Sequence, residues 1–274
     1  MFSPALFLFD LSSEGRLLLL TGDAPSLPPL GAEDKYSDYI SLSGRVVRGD
    51  GESDVWARLA PGADAPEGLS PVDRRSVPEL LGQDIYIRSG IAYQVMNLTL
   101  RNKFCGVCGA EMRDHDRDRA RECSRCGNTV YPTLSPAIIV AVERDGMLLM
   151  GHNATVPDGR YSVIAGFVEP GETLEQAVER EVYEETRVRV RNIRYFASQS
   201  WPFPSSMMLG FRADWESGDP QPDGVEMTDV KWVAPDDLPQ LPPSVSIARK
   251  LIEDWLRRVK EADAPPPTTL RPII

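Results

Sequence analysis

The chain has 274 residues, with 30 Lys and Arg against 41 Asp and Glu, a formal net charge of −11, and 42% apolar residues. That length predicts about two domains; the composition excludes a collagen-like, wholly disordered or multi-span membrane chain, since no run approaches the ~20 apolar residues of a bilayer crossing. The acidic balance disfavours a large electrostatic footprint for nucleic acid or anionic lipid, leaving room only for a local basic groove.

Residues 1–20 are apolar-rich, but Asp10, Glu14 and Arg16 interrupt them. No basic segment precedes the run and no small-residue cleavage site follows, so a signal peptide is not expected and a cytoplasmic protein is. Ala5–Phe9 and Arg16–Leu20 read as strands around a Ser12–Gly15 turn. Proline-rich Ala24–Leu30 reads as loop. Gly44–Val47 and Val55–Leu59 are further strands, split by an Arg48–Asp54 turn. Ile85, Ile87 and Ile91 lie near a short strand or a helix start, and Val95–Lys103 leads into a cysteine-bearing segment. Residues 1–100 are therefore expected to form a β-rich N-terminal domain, and they carry no chemical motif.

Residues 101–132 change character. Cys105-x-x-Cys108 and Cys123-x-x-Cys126 are two knuckles with 14 residues between the inner cysteines, and Gly109 and Gly127 follow the pairs. Four thiolates at ~2.3 Å complete a tetrahedral Zn²⁺ shell and leave no place for water, so the expected ion is structural. A segment this short has no core of its own, and metal binding supplies the missing folding energy. His115 is a spare donor expected to stay solvated.

Residues 133–262 read as a mixed α/β domain. Ala137–Val142 and Met147–Met150 form a hairpin about an Arg144–Gly146 turn. Thr173–Thr186 reads as helix, Val188–Ser198, Met207–Ala213 and Val230–Val233 as strands, and Val245–Val259 as an amphipathic helix. Residues 263–274, with Pro265, Pro266 and Pro267, read as a loose tail. There is no internal repeat.

The strongest signal is Gly166-x5-Glu172-x7-Arg180-Glu181-Val182-x-Glu184-Glu185. Residues advance about 100° each on a helix. With Leu174 at zero, Ala177, Val178 and Val182 fall near about 300°, 40° and 80°, an apolar stripe. Glu181, Glu184 and Glu185 fall near about 340°, 280° and 20°, inside that sector or at its edge. Carboxylates aimed at an interior must be paired, protonated or metal-bound. Three on one face make a hard oxygen site for Mg²⁺ or Mn²⁺, completed by substrate phosphates.

Gly166–Val188 closely resembles the Nudix box, G-x5-E-x7-R-E-U-x-E-E-x-G-U, with Arg187 in place of the second glycine. That glycine ends the family's helix in a left-handed cap, so Arg187 is expected either to accept that conformation at about 1 kcal/mol or to end the helix differently. A four-cysteine ribbon directly before the box is similar to the NADH pyrophosphatase branch of the family. The branch also carries S-Q-P-W-P-F-P-x-S after the box. Here the run is Ser198-Gln199-Ser200-Trp201-Pro202-Phe203-Pro204-Ser205-Ser206, departing only at Ser200. Prolines flanking aromatics make a stiff loop suited to presenting rings to a flat substrate.

The resemblance implies an α/β Nudix fold, a mixed sheet between helices, preceded by a zinc ribbon and the β-rich N-terminal domain. It implies hydrolysis of the pyrophosphate of NADH or NAD⁺ to (reduced) nicotinamide mononucleotide and AMP. Glu181, Glu184 and Glu185 would hold Mg²⁺ or Mn²⁺, with Glu226 and the carbonyl of Ala165 as further ligands. Arg180 would orient the glutamates. Phe167 and Tyr131 would line the nicotinamide side near Trp201 and Phe203, Gln199–Ser206 would form the dinucleotide loop, and Asp118 and Ala248 would add contacts. The branch's N-terminal arginine contact has no assigned position here, Arg74 and Arg75 being neighbours only. A homodimer sharing the pocket follows from the resemblance; a membrane partner does not.

Removal of an NAD cap from the 5′ end of RNA by the same chemistry is the first alternative, with Arg101, Lys103, Arg113, Arg117, Arg119, Arg121 and Arg125 as a candidate basic strip. A non-catalytic zinc-ribbon and Nudix binding module is a second, opposed by the intact Arg180, Glu181, Glu184 and Glu185. A pyrophosphatase for ADP-ribose is a third, opposed by the ribbon and the aromatic loop.

Overall fold

The computed structural model describes residues 3–11, 16–21, 24–32, 34–47, 52–156 and 159–263. The expected Ser12–Gly15 turn, the first four residues of the Arg48–Asp54 turn and the tail from Ala264 lie outside them. The chain divides into two units, Met1–Leu134 with Trp201–Ser206, and Ser135–Ser200 with the chain from Met207 onward.

In the first unit, short apolar runs build a five-stranded sheet. Its strands are β1 (Leu6–Asp10), β2 (Arg16–Leu20), β3 (Ile40–Val47), β4 (Ser53–Leu59) and β5 (Leu69–Val72), ordered β3-β4-β1-β2-β5. β1 runs parallel to β4 and antiparallel to β2. Both faces of β1 are buried, as its unbroken apolar run requires. Leu6 and Leu8 pack with Leu18, Val55, Ala57 and Leu59. On the alternate positions Phe7 and Phe9 are buried, and Phe9 meets Tyr93 edge-on at 5.7 Å.

Tyr93 belongs to a helix that the sequence offered only as one of two readings and without its extent. The segment read as a short strand or helix start is α2 (Gln83–Arg101), preceded by the single turn α1 (Val77–Leu81). The reason is that its buried stripe is mixed. Arg88, Ser89 and Gly90 are buried while Ile87 is 52% exposed, so the apolar residues do not mark the packed face. Arg88 ties the helix to the sheet. Its Nε and Nη2 donate to the buried Asp54 carboxylate at 3.0 and 2.5 Å, and Asp54 also accepts from the Ala5 N–H.

The cysteine segment adds a three-stranded sheet of β6 (Met112–Asp114), β7 (Arg121–Cys123) and β8 (Thr129–Val130). Its core is small, with Cys105, Met112 and Cys123 packed by Cys108, Ala110 and Val130.

The second unit is a sheet between two helices. Its elements are β9 (Ser135–Arg144), β10 (Met147–Asn153), β11 (Ile164–Phe167), α3 (Leu174–Thr186), β12 (Arg189–Trp201), β13 (Ser206–Ser217), β14 (Met227–Val233) and α4 (Ile247–Asp263). The order is β12-β13-β9-β10-β14, with β11 also pairing β9. Asp145 and Gly146, at φ 49° and 79°, make the tight β9–β10 turn. Alternation along β9 divides two cores. Ile138, Val140 and Val142 join Ala177, Val178 and Val182 of α3, whereas Ile139 and Ala141 join Leu251, Ile252 and Trp255 of α4. The short strand β11 was not anticipated; it places the start of the glycine-and-glutamate motif beside β9. Among the described residues, no helix is long and apolar enough to cross a membrane.

Candidate active site

The motif helix α3 is fixed at both ends. Thr173 accepts from the Gln176 N–H while the Gln176 side chain accepts from the Thr173 N–H, a reciprocal cap. At the other end Arg187 adopts the left-handed conformation, φ 61° and ψ 11°, and its N–H bonds to Tyr183 O. The expected cap position is therefore present without its glycine.

The stripe geometry also appears in the fold. Ala177, Val178 and Val182 are buried, and Glu185 is buried among them at 4% exposure. The Glu181 side chain is 13% exposed and Glu184, at the edge of the sector, 58%. Gly166 is the reason Glu181 fits. A Cβ there would lie 1.9 Å from the Glu181 carboxyl carbon, so no residue larger than glycine allows this approach.

Arg180 is the hub of the carboxylates. Its Nη1 donates to Glu181 Oε1 at 2.8 Å and to Glu184 Oε2 at 3.0 Å. Its Nε and Nη2 clamp both oxygens of Glu172, and Nη2 also reaches the Phe167 carbonyl at 2.9 Å. The Arg180 guanidinium, helped by the Glu169 N–H, holds the Glu172 carboxyl down at about 2. Burial raises Glu181 against the opposing pull of Arg180.

Among the described residues, Glu185 has no such cation. Burial, with Glu181 and Glu226 adding repulsion, pushes its carboxyl up to about 8. Its Oε2 is buried without a hydrogen-bond partner. Glu226 is exposed on the turn before β14, where Asp223 accepts the N–H groups of Val225, Glu226 and Met227. Ala165 pairs with Ile139 in β11. An orphaned buried carboxylate oxygen facing a negative field fits a divalent cation, which would satisfy the oxygen and reverse the field. The glutamate oxygens are not drawn into one tight coordination sphere. Among the described residues the cysteines alone form such a group of three or more potential ligands.

The four thiols lie within 4.8 Å of one another. Gly109 and Gly127, at φ 71° and 72°, close the two knuckles through N–H bonds to Cys105 O and Cys123 O. Backbone N–H groups of Cys108 and Val107 pull the Cys105 thiol down to about 6, toward the thiolate that zinc binds. His115 stays out of the cluster; its Nδ1 accepts from the Arg117 and Asp118 N–H groups.

The remaining candidates are spread over both units. In the first, Tyr131 is 57% exposed and its hydroxyl donates to Asp118 at 3.4 Å. The aromatic loop does not simply hold its rings free, as its composition suggested. Pro202 and Ser206 are buried, Trp201, Phe203 and Ser205 half-buried, and Pro204 exposed. Phe203 lies 4.8 Å from Trp201 and stacks at 6.5 Å on Tyr86. The guanidinium groups of Arg74 and Arg75 each sit 4.5 Å from its centroid. Arg74 is itself buried, donates to Pro202 O at 2.9 Å and lies over Tyr93 at 3.7 Å. Gly90 of α2 makes room, since a Cβ there would meet Pro202 at 2.8 Å.

In the second unit Phe167 is 58% exposed and Ser200 is exposed. The Gln199 amide is engaged within the fold. It accepts from the Ile247 N–H at 2.7 Å and donates to Val245 O at 2.8 Å, fixing the start of α4 beside Ala248.

Glu172, Gly166, Arg74 and Gly90 carry structural roles the sequence reading did not assign. The first two stand at fixed positions of the motif, a signal available in principle. Arg74 and Gly90 have no local signature, because their partner is a loop over a hundred residues away.

Known proteins resemble this chain over most of its length. The NUDIX domain family matches residues 133–255, and the NADH pyrophosphatase zinc ribbon domain matches residues 100–131. A NAD-capped RNA hydrolase NudC from Deinococcus radiodurans is 40% identical over 258 residues, 92% of this chain and 89% of that protein. Another of that name, from Edwardsiella ictaluri, is 43% identical over 246 residues, 89% of this chain and 91% of that protein. A NUDIX hydrolase structure from Nitrosomonas europaea shares 31% identity over 59% of this chain and 92% of that one, with a TM-score of 0.47.

Proposed function

The chain belongs to the NADH pyrophosphatase branch of the Nudix hydrolases, and from that membership we propose that it hydrolyses the central anhydride of NADH and NAD⁺. The products are (reduced) nicotinamide mononucleotide and AMP, and the same bond cleavage removes the NAD cap from RNA. The observation that carries this reading is the buried, repelled carboxylate of Glu185 on the helix that also bears Glu181 and Glu184.

In this reading Glu181, Glu184 and Glu185, with Glu226 and the Ala165 carbonyl, hold Mg²⁺ or Mn²⁺. When bound, such an ion neutralises phosphate charge and lowers the pKa of its water. Arg180, held by Glu172 and the Phe167 carbonyl, fixes Glu181 and Glu184 from one nitrogen. Phe167 offers an exposed ring to nicotinamide. Asp118, Tyr131, Gln199–Ser206 and Ala248 are assigned to dinucleotide recognition by family resemblance. Arg74 holds the loop through the Pro202 carbonyl. The ribbon zinc is structural. A homodimer and a cytoplasmic location belong to the same proposal.

The test is incubation with NADH and Mg²⁺ or Mn²⁺, with AMP and reduced nicotinamide mononucleotide as the readout. Glu185→Gln is expected to lower turnover by at least about 100-fold, with zinc content unchanged. Full turnover in that variant would remove Glu185 from the mechanism.

A further inference from the structure

Four arginines stand in the eight residues from Arg187 to Arg194, in a chain of net charge −11. All four are exposed, while Val188 and Val190 between them are buried. Asn192, at φ 52°, then breaks the two-residue alternation, and Arg194 and Tyr195 both face solvent. β12 is an outer strand of its sheet, so this row lies on an open edge.

The row is poorly neutralised. Arg194 pairs with Asp214 at 2.6 Å. Among the described residues, Arg187, Arg189 and Arg191 form no close ion pair with a carboxylate, although Arg187 acts on Asp223 and Arg191 on Asp214 at longer range. Arg187 and Arg189 instead lie 5.6 and 4.6 Å from the ring of Tyr183, which is 39% exposed. Tyr195, at 58% exposure, stands at the far end. Around the ribbon, which the sequence offered as the basic strip, Arg113 pairs with Glu122 and Arg121 with Asp114.

The strip also adjoins the carboxylates. Tyr183 precedes Glu184 and Glu185, and Arg187 caps their helix. An open depression is lined by Glu172, Gln176, Glu179, Arg180, Tyr183 and Arg189, and Arg180 in turn bonds Glu181 and Glu184. Alternating guanidinium groups and exposed rings match the phosphates and bases of a single strand. A NAD cap continues into RNA through its adenosine, so a basic surface near the anhydride site is placed to meet the strand.

Given the activity proposed above, we infer that the β12 edge, Arg187, Arg189 and Arg191 flanked by Tyr183 and Tyr195, is the surface that binds the single-stranded RNA following the cap.

The test uses the full chain and its Arg189→Gln/Arg191→Gln variant, leaving the helix cap at Arg187 intact. Fluorescence anisotropy follows binding of an uncapped, labelled RNA of about 12 nucleotides across a salt series. The variant should bind at least about 10-fold more weakly, with a log K against log salt slope shallower by roughly 1.4, or about 0.7 per lost contact. Its kcat/KM for NAD-capped RNA should fall by a similar factor, while NADH hydrolysis and zinc content stay at the parent level. Unchanged RNA affinity and slope would overturn the inference, as would absence of RNA binding by the parent chain. An equal loss on NADH would also overturn it, because the arginines would then serve the dinucleotide. Because the anisotropy arm needs no catalysis, a parent inactive on NADH but showing the expected RNA behaviour refutes the activity and leaves the surface standing.

Discussion

Glu185 shows how a single residue records the conflict between folding and chemistry. Its folded carboxyl is raised from the ordinary 4.5 to about 8, burial being the main cause. The folded state therefore holds a proton that the unfolded chain has already released. Stability is fully present below the unfolded value and falls as pH rises through the folded one. We expect the metal-free protein to lose stability between pH 5 and pH 8, by up to about 1.4 kcal/mol per pH unit. Added Mg²⁺ or Mn²⁺ should restore it, since a cation favours the ionised form. Thermal unfolding of the parent and of Glu185→Gln checks this, and a retained slope in the variant would contradict it. Arg187 offers a second residue-scale measurement. Its left-handed backbone costs an L-residue about 1 kcal/mol that glycine escapes, so Arg187→Gly should raise unfolding stability in urea by roughly that amount. The stripe position of Glu181 and Glu185 was legible by helical periodicity alone. The reason for Gly166 was not, because the approach of Glu181 exists only once β11 lies against α3.

At the scale of elements, strands with continuous apolar runs and the two helices of the second unit were readable to within a few residues. What was not readable had a physical cause in each case. β5 carries Pro71, which is tolerated because this is an outer strand. α2 hides its packed face behind a buried arginine, serine and glycine. The Arg88–Asp54 pair that docks α2 is buried, at 9% and 3% side-chain exposure. Asp54→Ala should therefore cost about 3–5 kcal/mol by stranding the guanidinium, measurable by denaturant unfolding. Gly90→Ala separates propensity from packing. A helix-interior glycine normally costs about 0.5–1 kcal/mol relative to alanine, yet here the added methyl meets Pro202. The substitution should displace the aromatic loop and raise KM for NADH several-fold with kcat little changed. An unaltered KM would detach the loop from dinucleotide recognition.

For the whole molecule, stability is distributed unevenly. The second unit has two apolar cores of its own, one on each face of its sheet. The ribbon has only a handful of small side chains around its thiols. Chelation of zinc should accordingly abolish hydrogen-exchange protection in residues 101–131 while strands β9–β14 keep theirs. The net charge of −11 gave no hint of where an anion could bind, since a sum over the chain conceals a row on one edge.

The grip of Arg74 on the carbonyl of Pro202 has an evolutionary and practical corollary. A loop encoded late in the gene is moulded by a domain encoded at its start, so drift in either must be answered by the other. Grafting the N-terminal domain of a relative onto this hydrolase would transplant its taste for dinucleotides only if residues 201–206 travelled with it. A shortened enzyme beginning near residue 133 would keep its carboxylates but carry that loop without its mould.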